Sequence, residues 1–306
     1  MGGTVIYFHR GCTDGRVAAA LLVAHLRAHG VRGLHVQAAC ATMARFAYPP
    51  ADTDAIYFVD LCPTEAMVPQ LERCAARLVV LDHHLSAAPT CAALAARPRW
   101  TVHHHMDLCG AQVVDAHYPR ARPGMFAPLD TALALVAAYD LWRDPDDRVF
   151  RFQAGADVLW ARATLRGPTT PDECVFFLRA LADTPAADVA ALGAARHAAA
   201  AAEYAAAAPY ALRLAAPTAA WDGAAVAIDL GARANASVLC HWLLRDHPRA
   251  EVAAGVWPAR GGRVRASLRS RALCIPDALP WARGHAQACA GEVPPDVLAT
   301  RTQLDE

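Results

Sequence analysis

Residues 78–84 read LVVLDHH, an apolar, β-branched run that ends abruptly in one acid and two imidazoles. A short apolar run bounded by polar residues is typical of a strand buried on both faces. Asp82, His83 and His84 would then stand at the carboxyl end of that strand. In open α/β sheets this is the edge where ligands bind.

Two earlier apolar runs end in the same way. His9 follows residues 4–8 and Asp60 follows residues 56–59, with helical stretches between the runs. Strand–helix alternation at this spacing predicts a parallel sheet with helices on both faces. One acid at a strand end is by itself typical of a turn or a helix cap. Three polar strand ends in register instead indicate a metal site, and carboxylates with imidazoles suit Mn²⁺, Mg²⁺ or Zn²⁺.

Composition narrows the class of partner. The 306 residues carry 29 basic and 29 acidic side chains, and every basic residue other than histidine is arginine. Zero net charge argues against binding to nucleic acid or membrane by bulk charge. Aromatic residues make up 7% of the chain and no dense basic run occurs. Because long single strands need a basic groove with stacking aromatics, a small or short substrate is favoured.

The cysteines and the apolar stretches indicate a cytoplasmic protein. Ten cysteines are scattered without a Cys-x-x-Cys pair, which predicts reduced thiols rather than a disulfide framework or a zinc knuckle. The first apolar run has no charged segment before it, so no secretory signal is expected. Charged residues interrupt every apolar stretch before ~18 residues, so no membrane span is expected.

Two further features of the first half carry chemistry. Asp140 lies in the last turn of an apolar helix predicted over residues 129–142. Burial of an unpaired carboxylate is costly, so we favour a bound cation there. His103, His104 and His105 end a strand-like run, with His103 and His105 on one face. A solvated loop edge and a zinc-binding module both remain open for this triplet.

The chain divides into three predicted parts. Residues 1–150 form the parallel-sheet domain, residues 151–208 a helical linker region that includes the alanine-rich stretch 186–208, and residues 209–306 a smaller α/β domain with a mixed sheet. In the last part a strand and a helix precede a hairpin around Gly261 and Gly262.

Three places in the last part are candidates for ligand contact. Arg269 lies at the end of the predicted hairpin, and Gly284 and His285 lie among small residues. Small residues allow a ligand to approach the backbone closely, but a tight packing turn explains them equally well. Asn235, the single asparagine, opens the predicted helix as an ordinary cap or as a contact to a nucleotide.

Taken in order, these residues resemble the DHH phosphoesterase family. The stretch 9–15 (HRGCTDG), Val59-Asp60, Asp82-His83-His84 and Asp140 are similar to its four motifs in order and spacing. Leu268-Arg269-Ser270, with Gly284-His285 and the small residues up to Gly291, is similar to the end of the DHH-associated C-terminal domain.

The resemblance implies a hydrolase of phosphodiester or phosphomonoester bonds that uses Mn²⁺ between two domains, with one or two ions and with Mg²⁺ or Co²⁺ as substitutes. It assigns His9, Asp14 and Asp60 to the first ion and Asp60, His83 and Asp140 to the second. Asp82 would be a ligand or a partner of the histidines, and His84 a proton donor or phosphate contact. The expected substrate contacts are Arg269, Gly284, His285 and Asn235.

Short oligonucleotides and small nucleotides are the expected substrates. Two alternatives stay open. One is a polyphosphatase-like hydrolase of phosphoanhydrides. The other is a degenerate relative that binds nucleotide or a partner protein without turnover, since Arg16 stands where many members of that family carry another acid. The sequence leaves the oligomeric state open, a dimer included.

Overall fold

The structure is a computed structural model. It describes residues 3–40, 43, 46–119, 129–143, 145–164, 169–210, 212–214, 224–229, 236–259, 263–272, 274–279, 281–285, 287–293 and 301–303. The chain separates into two compact units, residues 1–194 and 195–306.

The first unit is built on a five-stranded sheet in the order β2-β1-β3-β4-β5, and every neighbouring pair is parallel. The strands are β1 (Thr4–His9), β2 (Leu34–Ala39), β3 (Thr53–Val59), β4 (Ala75–Asp82) and β5 (Trp100–His104). The predicted parallel sheet is therefore confirmed. The strand order reverses at β1 and β3, which is where doubly wound sheets open a crevice for ligands.

Helices cover both faces of this sheet. They are α1 (Thr13–Ala28), α2 (Val68–Cys74), α3 (Ala88–Ala95), α4 (Gly110–His117), α5 (Leu129–Asp140), α6 (Asp147–Ala163) and α7 (Pro171–Asp183), and α8 (Ala186–Ala207) follows them in the chain. Side chains alternate along β1: Ile6 and Phe8 enter the core that includes α1 and α4–α7, whereas Val5 and Tyr7 enter the core that includes α2 and α3. Helices α6 and α7, expected in a linker region, therefore pack within the first unit.

The second unit has a seven-stranded mixed sheet in the order β10-β11-β9-β8-β7-β6-β12, with β7 and β8 parallel and the other pairs antiparallel. Its elements are β6 (Leu212–Leu214), β7 (Ala224–Asp229), α9 (Ala236–Asp246), β8 (Ala250–Pro258), β9 (Val264–Ser270), α10 (Ile275–Ala278), β10 (Ala282–Gly284), β11 (Ala288–Glu292) and β12 (Arg301–Gln303). This confirms the mixed α/β class. The stretch of small residues around Gly284 and His285 belongs to the hairpin β10–β11, in which Gly284 has φ +140°.

The alanine-rich helix α8 is one continuous helix of 22 residues, as predicted, but it packs more than a spacer would. Val189 and Ala190 are buried in the core of the first unit. In the second unit the His197 ring contacts Trp242 at 5.3 Å between centroids, and the Tyr204 hydroxyl donates to Asp246 at 2.7 Å. Across the described residues, no helix combines the length and the apolar character needed to cross a membrane.

Helices α6 and α8 pass each other at two glycines, which leads to a stability prediction. A Cβ on Gly155 would lie 1.7 Å from the Val189 carbonyl oxygen, and one on Gly193 would lie 2.0 Å from that of Arg151. Backbone cannot move aside as a flexible side chain can, so we expect Gly155→Ala to destabilise the chain by about 3 kcal/mol or more in urea unfolding.

A substitution in the opposite direction, alanine to glycine, at an exposed position of α8 serves as the control. Ala198→Gly adds no atom and should cost only the difference in helix propensity, about 1 kcal/mol. An unchanged unfolding midpoint for Gly155→Ala would contradict the close approach of the two helices.

Candidate metal centre

Three neighbouring strands of the first sheet bring polar residues to the same edge. His9 is the last residue of β1, Asp60 directly follows β3, and Asp82 is the last residue of β4. Asp60 has φ +56°, a left-handed conformation that few residues other than glycine, asparagine and aspartate adopt. Its N–H donates to the Leu81 carbonyl at 2.8 Å, so this unusual conformation is held by β4.

The Asp60 carboxylate is the centre of the contacts. It is 1% exposed, and its Oδ1 lies 2.9 Å from His83 Nε2. The Cys12 thiol donates to Oδ2 at 2.9 Å, and His9 Nδ1 lies 3.4 Å from the same oxygen. Burial alone raises the pKa of this carboxyl, but the hydrogen bonds from His83 and His9 outweigh it and lower the pKa well below its usual range.

Asp14 is held by the start of helix α4. The backbone N–H of Gly110 donates to its Oδ2 at 2.6 Å, and the N–H of Ala111 donates to its Oδ1 at 2.8 Å. A helix N-terminus offers free N–H groups and the positive end of the helix dipole, and both stabilise a carboxylate. Asp14 is 1% exposed and its Oδ2 lies 3.4 Å from His83 Nε2.

His83 joins three carboxylates. Its Nε2 lies 3.4 Å from Asp14, 2.9 Å from Asp60 and 3.4 Å from Asp140. Burial lowers the pKa of His83, but the charge of Asp140 and the hydrogen bonds that His83 donates to Asp14 and Asp60 outweigh burial and raise it well above its usual range. Burial and the neighbouring Asp14 raise the pKa of Asp140 to about 7. Two buried acids and the partly buried Asp140 around one imidazole leave excess negative charge, which a divalent cation would neutralise.

The donor atoms form groups that suit two adjacent ions. Those of His9, Cys12 and Asp60 all lie within 4.8 Å of one another, and so do those of Asp14, His83 and Asp140. The resemblance assigns Asp14 to an ion together with His9 and Asp60; in the structure the donor atom of Asp14 also lies close to those of His83 and Asp140. Oxygen, imidazole and thiol donors fit Mn²⁺, Co²⁺ or Zn²⁺ better than Mg²⁺.

Cys12 is the site residue that sequence reasoning missed. It is the N-cap of α1, and its sulfur accepts the N–H of Gly15 at 3.2 Å and lies 3.4 Å from His9 Nδ1. The available signal was its place between His9 and Asp14, in the turn that joins a strand to a helix. Its contact with Asp60, 48 residues away in the sequence, is visible only in the fold.

His84 and Asp82 form a close pair, whose donor atoms lie within 4.8 Å of those of Asp60 and His83. His84 Nδ1 lies 2.7 Å from Asp82 Oδ1, which also accepts the His83 N–H at 2.8 Å. Burial lowers the pKa of His84, but the Asp82 carboxylate outweighs burial and raises it to about 9. The His84 side chain keeps 20% of its surface exposed, so it is a charged donor that a substrate can reach.

Arg16 is held by helix α6. Its guanidinium pairs with Asp157 and lies over the Trp160 ring at 5.5 Å. The alternative of a degenerate relative was based on the positive charge of Arg16. This charge is compensated by the carboxylate of Asp157 in α6.

In the second unit, the expected substrate contacts Arg269 and Gly284 lie on β9 and β10, with β11 between the two strands. Arg269 donates to the hydroxyl of Ser237 at 2.5 Å and to that of Ser267 at 3.2 Å. Arg269 in β9 is paired with Ala288 in β11, whose carbonyl accepts the His285 N–H at 3.0 Å. Gly284 ends β10 beside His285, whereas Asn235 lies outside the described residues.

The histidine triplet divides between two surroundings. The ring of His103 stacks on that of His117 at 3.8 Å, and His105 Nε2 lies 2.8 Å from His117 Nε2. His104 instead has its Nε2 3.0 Å from the His84 carbonyl oxygen. His103 and His105 therefore lie on one face, as the alternation of a strand predicts, and His117 contacts both of them.

This stacking leads to a prediction about pH. Burial, followed by the charges of His117, His105 and Arg77, lowers the pKa of His103 to about 4. Because the folded pKa lies below the unfolded value of about 6.5, folding stability is full above that value and falls between about pH 6.5 and 4. The free energy of unfolding, measured in urea, falls in the parent between pH 7.5 and pH 5. We expect this fall to be about 1 kcal/mol smaller in His103→Gln, a difference reduced for the partial exposure of His103. Identical losses in both chains would contradict the assignment.

Comparison with known proteins adds a likeness of fold. No protein-family model and no curated protein matches the chain. An exopolyphosphatase-related protein from Bacteroides fragilis is similar over 98% of this chain and 90% of its own, with a TM-score of 0.54 at 11% identity. The exonuclease RecJ bound to manganese aligns over 97% of this chain and 87% of its own, with a TM-score of 0.44 at 16% identity. The Bacteroides likeness shows a shared fold.

Proposed function

We propose that the chain is a divalent-metal-dependent phosphoesterase of the DHH kind. It hydrolyses phosphodiester or phosphomonoester bonds of short oligonucleotides or small nucleotides, with Mn²⁺ as the working ion. The observation that carries the proposal is the convergence of Asp14, Asp60 and Asp140 on His83 at the carboxyl edge of a parallel sheet. The shared fold with a structure described as exopolyphosphatase-related supports the hydrolase class.

Two sets of residues would hold the ions. His9, Cys12 and Asp60 form one set, and Asp14, His83 and Asp140 form the other. A bound divalent ion supplies a water of lowered pKa and neutralises charge that develops on phosphorus-bound oxygens. The protein fixes the ligands beforehand: α4 holds Asp14 and β4 holds the backbone of Asp60.

His84 is assigned the proton transfer. Because the pKa of His84 is about 9, the imidazole carries a proton at neutral pH that it can give to the leaving oxygen of the substrate. Asp82 orients the ring by accepting a hydrogen bond from Nδ1. Asp82 is thus a positioning residue whose Oδ1 is committed to the two histidines.

Arg269, Gly284 and His285 are assigned to the phosphate of the substrate, with Asn235 as a further contact. The planar fork of arginine matches phosphate oxygens, which a lysine would not reproduce. Ser237 and Ser267 hold the Arg269 guanidinium in place. The proposal keeps the cytoplasmic location expected from the cysteine pattern.

Phosphate and nucleotide release from a panel of substrates tests the proposal. We expect turnover with Mn²⁺ on di- to pentanucleotides, cyclic dinucleotides or a nucleoside bisphosphate, and none in excess chelator. Release from polyphosphate alone would favour the phosphoanhydride alternative. Metal binding without turnover on any member of the panel would contradict the enzyme and favour a binding protein.

A further inference from the structure

A second group of possible metal ligands lies beside the first. Cys62, Cys91 and Asp82 each place one donor atom within 4.8 Å of the others. Cys62 follows the end of β3, Asp82 ends β4, and Cys91 lies in α3, so three elements meet here. Cys91 is 2% exposed and Asp82 is fully buried, while Cys62 is partly exposed.

The two sulfurs are spaced as zinc ligands are. Cys91 Sγ lies 3.7 Å from Cys62 Sγ. Two thiolates bound to one tetrahedral Zn²⁺ at about 2.3 Å each stand about 3.8 Å apart. A disulfide requires about 2.05 Å, so the sulfurs would have to move much further to form one.

Asp82 supplies an independent observation. Its Oδ1 is occupied by the His83 N–H and by His84, whereas its Oδ2 is buried without a hydrogen-bond partner among the described residues. A buried carboxylate oxygen without a hydrogen-bond partner is destabilising, because it has lost its hydration without gaining a partner. A cation between this oxygen and the sulfurs would remove that cost.

We propose that Cys62, Cys91 and Asp82 bind one Zn²⁺ ion, separate from the ions assigned to the cluster around Asp60. Two thiolates and a carboxylate are zinc donors, and the partly exposed side of Cys62 leaves a fourth position for water. Each thiol proton passes to solvent as its sulfur binds. The ion links the ends of β3 and β4 to α3 and fixes the carboxylate that orients His84.

Sequence spacing conceals this group. The cysteines stand 29 positions apart, so the chain shows no Cys-x-x-Cys signature. The sequence therefore predicted plain reduced thiols. Only the pairing of β3 with β4 and the return of α3 bring the three side chains together.

Cobalt substitution tests the site. The Cys12→Ser chain removes the thiol of the cluster around Asp60. In this chain Co²⁺ should give a sulfur-to-cobalt charge-transfer band. Zn²⁺ should bind at one equivalent more than the Asp60 cluster takes. Adding Cys62→Ser and Cys91→Ser should abolish both. Cys74→Ser, a buried thiol in the same core, and Asp60→Asn should retain them. The proposal would be overturned if the band survived the added changes at Cys62 and Cys91, or if the Cys12→Ser chain showed no band.

A measurement on the unmodified chain guards against misfolded variants. Zinc-loaded protein in reductant should protect Cys62 and Cys91 from alkylation, as mapped by mass spectrometry, and chelation should expose them together. Equal labelling with and without zinc, or recovery of a Cys62–Cys91 disulfide from the native protein, would overturn the site. Either result leaves the proposed hydrolase standing, because the Asp60 cluster contains neither thiol.

Discussion

Replacing Asp60 by asparagine is expected to reduce hydrolysis by about a thousandfold and metal affinity by at least about a hundredfold. Asp60 contacts His83, Cys12 and His9 through its two oxygens, so the change removes a negative charge from one donor set and from beside His83 of the other. Asparagine tolerates the left-handed backbone found here, at φ +56°, and therefore keeps the fold. Phosphate release and isothermal titration with Mn²⁺ measure the two losses.

The matched control is Asp54→Asn. This acid lies on the same strand, β3, but is exposed to solvent. It loses the same charge at the surface, so its activity and metal affinity should stay near those of the parent. Equal losses in both variants would mean that net charge, and not the cluster, governs the activity.

Gly110→Ala is expected to reduce hydrolysis by about a hundredfold while the chain remains folded. A Cβ at this position would lie 2.8 Å from Asp14 Oδ2 and 2.8 Å from Asp60 Cβ. Because Asp14 accepts a hydrogen bond from the Gly110 N–H, the added methyl group would push this carboxylate away from His83. Steady-state kinetics with a Mn²⁺ titration measures the effect, and added Mn²⁺ should restore only part of the rate.

Gly11→Ala provides the comparison for this change. A Cβ on Gly11 would meet only His9 Nε2, at 3.9 Å, which is ordinary van der Waals contact. This variant should retain activity within a few-fold, as expected for a methyl group added in open space. Full activity in Gly110→Ala would show that the start of α4 does not position Asp14.

The sheet and its polar edge could be predicted because they are local properties of the sequence. Strands such as β3 and β4 are buried on both faces and are therefore nearly continuous apolar runs. Each run ends at a polar residue, which identified His9, Asp60 and Asp82 before their distances were known.

The grouping of the site residues could not be predicted because it depends on distant packing. Asp14 accepts hydrogen bonds from the N–H groups of Gly110 and Ala111, which lie 96 and 97 residues further along the chain. These hydrogen bonds direct it toward His83 and Asp140. Cys12 meets Asp60 only when β1 and β3 pair. Spacing along the sequence carries no information about either approach.

Anomalous diffraction from crystals grown with Mn²⁺ tests the central claim most directly, because it locates the ion without reference to a substrate. We predict one or two manganese peaks among His9, Asp14, Asp60, His83 and Asp140, and their loss in Asp60→Asn. Absence of any peak at this cluster, at a Mn²⁺ concentration that supports hydrolysis, would contradict the account.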